Sequence, residues 1–409
     1  MNFEFFIAKR IIGARAYKSN ASTPIIKIAI IAIVLGMVMM MITVATSVGL
    51  QKKIKEKVSA FNGDIIISNF DGNQSGVTLN PISKNQDFYP EFTSIPEITH
   101  IQATATKAGI IRTATDFEGV LIKGVGADYD WQFMETFVEV GRLPNYTEKL
   151  NTEILLSEYL ANRLGFALND KVIVYFLKED GDFLLRRFDI VGIYNSGFQE
   201  FDSQYLFADL RHLQRLNKWE EDQVGAFEAF VEDFDQLQEV GNAVYENTGS
   251  TLNAMTIANK YYSIFEWLKL FDFNVALIIA VMIIVAGINM IVALLVLILE
   301  RTQMVGLLKA LGSDNWTIRK IFMYNALYLV VVGLFWGNII GIGLLLIQKY
   351  FGIISLDPET YYVTEAPIYL NWDYIVLLNI GTFILCAVML LVPSYIITKI
   401  SPVKSIKFE

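Results

Sequence analysis

Four long apolar runs interrupt a chain that is otherwise polar. They occupy residues 25–49, 272–299, 321–347 and 374–397. Each provides the ~20 apolar residues that a helix needs to cross about 30 Å of hydrocarbon. Residues 62–271 show the short alternating and amphipathic patterns of a folded polar domain instead. The pattern predicts an α-helical membrane protein with four transmembrane helices and a large extracytoplasmic α+β domain inserted between the first and second helices.

The first apolar run has amphipathic neighbours on both sides. Residues 1–24 include FEFFIAKRIIGARAYK, which predicts a helix lying in the cytoplasmic membrane interface. On the other side, GLQKKIKEKVSAF repeats apolar residues along one face of a lysine-rich helix, namely Leu50, Ile54, Val58 and Phe61. Residues 50–61 are therefore predicted to continue the first span as an amphipathic stalk.

Turn residues divide the 62–271 segment into predicted strands and helices. ITHIQATATKAGIIRT and FEGVLIKGV predict strands, and TEILLSEYLANRLGFALNDKVIVYFL predicts strand, helix and strand with Gly165 ending the helix. KEDGDF predicts a hairpin turn that leads into the strand RRFDIVGIY. FADLRHLQRLNKW and DFDQLQEVGNAVYENTG predict helices. A segment of this length can bury a core of its own.

Charge is distributed unevenly along the 409 residues, which are 54% hydrophobic with a formal net charge of −9. Residues 50–271 hold 33 acidic and 20 basic residues, whereas the lead 1–24, the connection 300–320 and the tail 398–409 are basic. Basic short segments stay in the cytoplasm. Both termini and Lys309 are thus predicted to be cytoplasmic, and Asp180 and the short 348–373 loop to lie outside.

The chemistry that the chain lacks excludes several classes of protein. No G-x-x-x-x-G-K-[ST], G-x-S-x-G or H-E-x-x-H motif occurs, and the two histidines, His100 and His212, show no ligand pattern. The single Cys386 permits no internal disulfide. The apolar runs hold asparagines but almost no ionisable residue, unlike an ion-driven carrier. The sequence argues against an enzyme, a metal site and a secondary transporter.

Small residues recur at a four-residue interval in the third apolar run. Gly333, Gly337 and Gly341 form a small-xxx-small series, which lets a neighbouring helix approach closely. The series predicts tight helix packing against a partner that the sequence does not identify.

The connection between the second and third runs reads ERTQMVGLLKALGSDNWTIRKIF. This stretch resembles the cytoplasmic signature of permease subunits in the FtsX/MacB superfamily of ABC systems, E-R-x-x-E-I-G-x-x-K-A-x-G-x-x-x-x-x-I. Met304 and Val305 depart from that pattern. In the family a short coupling helix here docks into a groove of the partner ATPase. The resemblance assigns that role to Glu300, Arg301, Gly306, Leu307, Leu308, Lys309, Ala310, Leu311 and Gly312.

The resemblance extends over nearly the whole chain. FNGDIIIS resembles the stalk-to-strand junction of these permeases, and LLSEYLANRLGFALNDKVIVYF resembles their outer domain. YYVTEAPIYLNWDYIVLLN and the closing PSYIITKISPVKSIKFE resemble the lipoprotein-releasing subgroup, the LolC/LolE type. It implies a MacB-like periplasmic domain, an inner-membrane location, and partners consisting of a cytoplasmic ATPase dimer, a second permease, lipoprotein cargo and a periplasmic carrier. ATP and Mg would sit on the ATPase, this chain holding no cofactor, and no nucleic acid is expected. Met37, Met40 and Met41 would offer an adaptable surface to an acyl chain.

Other functions remain open at this point. The hairpin KEDGDFLLRR is short where carrier-capturing relatives have a long loop. A MacB-like efflux or export permease with a separate ATPase, an FtsX-like regulator of a cell-wall hydrolase, and a membrane-anchored sensor without an ATPase are the alternatives. Co-purifying proteins would distinguish among them.

Overall fold

A computed structural model describes residues 3–13, 22–72, 76–147, 149–178 and 181–399. Its first helices are α1 (Phe3–Gly13) and α2 (Ser22–Asn62). The middle of the chain contains β1 (Ile65–Asn69), β2 (Ile82–Ser83), β3 (Ile98–Arg112), β4 (Phe117–Val125), α3 (Gln132–Glu135), β5 (Val138–Gly141), β6 (Glu153–Ser157), α4 (Glu158–Leu164), β7 (Lys171–Leu177), β8 (Phe183–Tyr194), α5 (Gln199–Asp202), β9 (Tyr205–Asp209), α6 (Leu210–Asn217), β10 (Gln223–Val224), β11 (Ala226–Val231), α7 (Leu237–Asn247), β12 (Leu252–Thr256) and α8 (Ile257–Lys260). The last part contains α9 (Tyr262–Glu300), α10 (Thr302–Ala310), α11 (Asn315–Phe351), α12 (Pro358–Tyr361), α13 (Trp372–Met389), α14 (Leu391–Ser394) and α15 (Ile396–Lys399).

The chain divides into two compact units. Unit 1 comprises Met1–Gln51, Leu268–Ser355 and Glu365–Glu409, and unit 2 comprises Lys52–Trp267 and Leu356–Thr364. Asp180 and the tail from residue 400 onward, for which the sequence predicts a side of the membrane, lie outside the described residues.

Unit 1 is built from long apolar helices. Four candidate membrane spans occur within the described residues: Pro24–Asn62, Tyr262–Glu300, Asn315–Phe351 and Trp372–Thr398. The four predicted apolar helices are therefore confirmed, and each is longer than the apolar run that predicts it. Their buried side chains form one cluster, which includes Ile33, Met290, Phe322 and Val330.

Unit 2 is a mixed α/β domain around a ten-stranded sheet. The strand order is β12-β1-β11-β3-β4-β9-β6-β8-β5, and β7 pairs with β3 and β8. Most neighbours are antiparallel, but β4 with β9 and β6 with β8 are parallel. The last turn of α2 packs on this sheet through Phe61, whose ring lies 4.8 Å from Phe201 and 5.8 Å from Phe207.

Local sequence signals explain several element boundaries in unit 2. Ser157 ends β6 and caps α4, since its hydroxyl accepts a hydrogen bond from the Leu160 amide at 3.2 Å. Gly165 ends α4 in the left-handed region with φ 74°. Asp209 caps α6 in the same way through the Arg211 amide.

Unit 2 differs from the sequence prediction at one helix boundary and at two strands. The helix predicted from residue 207 begins at Leu210 instead, because Tyr205–Asp209 is a fully buried strand in the middle of the sheet. The strands Ala226–Val231 and Leu252–Thr256 were not predicted, although they flank β1. Each is only five or six residues long, so alternation alone gives little signal.

The β7–β8 hairpin is as short as its sequence predicts. The Lys178 amide donates to the Asp182 carbonyl at 2.9 Å, and Gly181 takes a positive φ of 87°. Residues 179–180 lie outside the described residues. The strands themselves pair from Lys171↔Asp189 to Leu177↔Phe183, which leaves no room for a long capture loop.

Candidate coupling segment and its supporting contacts

Helix α10 packs one face against the other helices of unit 1 and leaves another face exposed. Val305 and Gly306 are buried, and Leu308 packs against the apolar helix cluster. By contrast Leu307 is 57% exposed and Leu311 is 75% exposed, with Ala310 exposed beside them. Apolar residues normally lie inward on such a helix. The outward set Leu307, Ala310 and Leu311, here called the coupling face, is thus suited to another protein.

Two residues that the resemblance assigns to the ATPase contact face the other helices of unit 1: Gly306 is buried and Leu308 is half-buried against the apolar helix cluster. Glu300 and Gly312 are exposed and Arg301 is half-buried. An aspartate at position 308 would therefore disturb the helix packing itself. Position 310 probes the outward surface without that complication.

A capped turn fixes the end of α10. The Ser313 amide donates to the Leu308 carbonyl at 3.0 Å and the Gly312 amide to the Lys309 carbonyl at 3.0 Å. Gly312 has φ 91°. These two bonds with a left-handed glycine form a Schellman motif, which satisfies carbonyls that a helix end leaves free. The turn is therefore a defined structure and not a loose loop.

The next helix begins directly after the turn. Asp314, and not the preceding Ser313, caps α11 by accepting bonds from the Trp316 and Thr317 amides at 3.1 and 3.3 Å. The Thr317 hydrogen bond holds the pKa of Asp314 below its usual value. Its carboxylate also lies at the positive end of the helix dipole.

The basic residues near α10 make specific contacts within unit 1. Lys309 donates to the Ile397 carbonyl at 2.8 Å, and Arg319 donates to the Ser394 hydroxyl at 3.1 Å. Lys320 lies 3.4 Å from Glu4 of α1. Lys309, which the resemblance assigns to the coupling segment, thus also bonds the carbonyl end of α15, and partial desolvation lowers its pKa.

Helix α1 packs on α11. Ala8 is 2% exposed against Ile321, and the ring of Phe5 lies 6.1 Å from that of Tyr324. Ile7 also packs against this contact, and the more deeply buried position is Ala8. A small residue there lets the two helices approach closely.

The glycine series of α11 faces α2. A Cβ at Gly333 would lie 2.8 Å from the Ile33 Cβ, and one at Gly337 would lie 2.8 Å from the Met37 Cβ. A Cβ at Gly341 would lie 3.0 Å from the Met41 sulfur. The two helices therefore touch along a seam that larger residues would separate.

This packing bears directly on the first-span methionines. Met37, Met40 and Met41 are 0%, 1% and 2% exposed, whereas Met39 is 44% exposed. Contact of the three buried methionines with an acyl chain would require α2 to part from its neighbours in unit 1. The sequence indicates both the methionines and the glycine series, but not that the two face each other.

Two asparagines join α11 to α13. Asn338 donates its amide to the Asn379 oxygen at 2.7 Å, and Asn379 donates back at 3.0 Å. Each amide group also donates to a carbonyl of its own helix, that of Leu334 or Ile375. Polar groups inside a membrane need such partners.

Unit 2 contains a buried ion pair beneath the end of α2. The Lys123 ammonium lies 2.7 Å from Glu228, and the two side chains are 2% and 7% exposed. Lys123 also donates to the carbonyl of Phe61, in the last turn of α2. Gln102 donates to the same carboxylate at 2.9 Å. The pair therefore ties the helix end to strands β3, β4 and β11.

A metal centre is not supported by the part of the chain that the structure describes, since no group of three or more His, Cys, Asp or Glu there could hold an ion. His212 lies 5% exposed with its Nε2 2.9 Å from the Asn151 carbonyl.

Two family models together cover most of the chain. The FtsX-like permease C-terminal model matches residues 276–402, and the MacB-like periplasmic core domain model matches residues 28–246, which is more than half of the chain. The chain belongs to the FtsX/MacB superfamily of permeases. The resemblance seen in the coupling stretch is thereby confirmed.

Among curated relatives, it is similar to the lipoprotein-releasing system transmembrane protein LolC of Xylella fastidiosa, with 21% identity over 63% of this chain and 65% of that one. The chain thus spans 65% of that relative's length. LolC of Haemophilus influenzae is 21% identical over 93% of both chains. LolE of the same organism is 19% identical over 98% of both.

Proposed function

We propose that this chain is a permease subunit of an ABC transporter of the mechanotransmission type. The coupling face of α10 carries the proposal, because an exposed apolar surface on a short capped helix between two spans is built to bind a protein. The partner is a cytoplasmic ATPase dimer that holds ATP and Mg. A second permease, either a copy or a paralogue, completes the transporter.

The proposed orientation follows the basic short segments. Both termini and α10 lie in the cytoplasm, and the α/β domain lies in the periplasm, inserted between the first two spans of an inner-membrane protein. ATP-driven closure of the ATPases moves α10, and the spans pass the motion to the domain.

The proposed cargo is a lipoprotein, taken from the outer leaflet of the inner membrane and delivered to a periplasmic carrier. The relatives named for lipoprotein release support this, with two matches extending over at least 93% of both chains. A second candidate is a MacB-like export permease with a separate ATPase. The short β7–β8 hairpin favours it, because that hairpin leaves little chain for capturing a carrier.

One substitution tests the coupling assignment. Ala310→Asp places an unpaired charge in the centre of the coupling face, and burial of such a charge in an interface costs a few kcal/mol. We expect ATPase association to weaken on the order of a hundredfold in detergent pull-downs. Lipoprotein release from proteoliposomes should also be lost.

Ala310→Ser is the matched control, because it is small, uncharged and equally exposed. It should bind the ATPase like the unmodified chain. Normal ATPase binding and cargo-stimulated hydrolysis by Ala310→Asp would overturn the assignment. If Ala310→Asp loses ATPase binding as expected but the unmodified chain releases only soluble peptides, the chain is an export permease and the lipoprotein cargo is wrong.

A further inference from the structure

The connection between α11 and α13 contains a segment that belongs to unit 2. Residues 356–364, here called the strap, cluster with that unit, although their neighbours in the chain belong to unit 1. At the base of the strap, in unit 1, the Gln348 side chain donates to the carbonyls of Ile354 and Ala366, both at 3.2 Å. The two ends of the strap are thus held side by side.

Tyr362 has an unusual backbone conformation at the tip of the strap. Its φ is 59°, and its amide donates to the Pro358 carbonyl at 3.1 Å, which closes the short helix α12. Glycine is the usual residue at such a left-handed helix end, because a side chain there is strained. Strain of this kind persists where surrounding contacts hold the residue in place.

Those contacts are present in unit 2. The Tyr362 ring stacks on Phe198 at 4.6 Å with an interplanar angle of 16°. The Trp267 ring meets it edge-on at 5.7 Å and 82°. The backbone carbonyl of Tyr362 accepts a hydrogen bond from the Lys57 ammonium at 3.1 Å. Val363 beside it is 5% exposed.

The three residues that contact Tyr362 lie in different parts of the fold. Lys57 lies on α2 and is 8% exposed, and Trp267 lies near the start of α9. Phe198 is fully buried and stacks on Phe201 at 4.6 Å. One tyrosine therefore joins the strap to α2, to α9 and to the aromatic core of unit 2.

We propose that Tyr362 is the anchor through which displacement of α11 and α13 pulls on unit 2, which makes it a positioning residue for transport. The role of Tyr362 in transport rests on the proposed function, whereas the anchor itself rests on the geometry alone. Without the anchor the strap would not transmit displacement of α11 and α13 to unit 2, and only α2 and α9 would do so.

Hydrogen exchange in the full chain in detergent tests the anchor. The amides of Thr360, Tyr361 and Tyr362 all donate backbone bonds within the strap, so their exchange reports its opening. Two aromatic contacts of ordinary strength predict that Tyr362→Ala accelerates their exchange on the order of tenfold or more. Tyr362→Gly should do the same, although it relieves the backbone strain. Tyr362→Phe keeps the ring and should exchange like the unmodified chain.

Two further measurements separate the anchor from its role in transport. Lys57→Met keeps the aliphatic stem but removes the donor, and it should also accelerate strap exchange. In proteoliposomes with the ATPase, Tyr362→Ala should bind the ATPase normally yet lose lipoprotein release per ATP hydrolysed, whereas Tyr362→Phe keeps it.

Unchanged strap exchange in both Tyr362→Ala and Tyr362→Gly overturns the anchor. Accelerated exchange with undiminished release per ATP overturns its role in transport. If the unmodified chain binds no ATPase, the proposed function fails and the transport role falls with it, while the exchange result still decides whether Tyr362 is an anchor.

Discussion

The glycine seam between α2 and α11 gives a graded prediction for alanine substitution. Gly333→Ala would place a Cβ 2.7 Å from the Ile33 Cγ2 and 2.8 Å from its Cβ. Isoleucine is stiff at χ1 and cannot turn this branch away without moving the backbone. Gly341→Ala meets only the flexible side chain of Met41, whose sulfur is the nearest atom at 3.0 Å. Gly343→Ala on the same helix meets nothing within 4 Å.

The magnitudes follow from two opposing effects. Alanine stabilises a helix interior by roughly 0.5–1 kcal/mol over glycine, which applies to all three sites. Overpacking costs about 1–3 kcal/mol where the neighbours cannot yield. We therefore expect Gly333→Ala to be about 1–3 kcal/mol less stable than Gly343→Ala. Gly341→Ala should fall close to Gly343→Ala.

Denaturation by SDS in mixed micelles measures these differences as folding free energies, and thermal unfolding in mild detergent gives an independent ranking. Comparison within one helix removes the propensity contribution, because it is common to all three variants. Equal stability of Gly333→Ala and Gly343→Ala would refute the close approach of α2 and α11. A strongly destabilised Gly341→Ala would refute the argument from side-chain flexibility.

Two further predictions concern unit 2. Burial raises the pKa of Asp202 to about 6 despite the nearby positive charge of Lys57, so its favourable contribution exists below its ordinary pKa and is lost as the pH rises through 6. The effect of Asp202→Asn on stability should therefore be more favourable at pH 7.5 than at pH 4, by roughly 1–3 kcal/mol, and equal shifts in thermal unfolding at both pH values would contradict this. Lys123→Met should cost about 3–5 kcal/mol in urea denaturation, because it leaves Glu228 buried without its cation. Adding Glu228→Gln should recover part of that loss, and a double variant no more stable than Lys123→Met would contradict the buried-charge reasoning.

The sequence was most informative where one physical signal dominates. Membrane helices follow from the length of apolar runs, and the α4 boundaries follow from Ser157 and Gly165, so these features were predictable. The strands β11 and β12 were not, because their place depends on pairing with β1 across more than 150 residues of chain. Local pattern carries no information about such distant partners.

The candidate coupling site was predicted only in part. The motif located the short helix, but it could not show that Leu308 packs inward while Leu311 stays exposed. The Tyr362 conformation left no recognisable signal, since tyrosine is not a residue expected at positive φ. The packing of Gly333 on Ile33 required knowledge of which helices are neighbours.

The reciprocal amide pair of Asn338 and Asn379 has a consequence for how the helices can move. Sliding α13 by one helical turn, about 5.4 Å, would break both bonds and strand polar groups in hydrocarbon, where each costs several kcal/mol. Tilting or translating both helices together breaks neither bond. The pair therefore fixes the axial register of α11 and α13, and the two helices are expected to travel as a single lever arm.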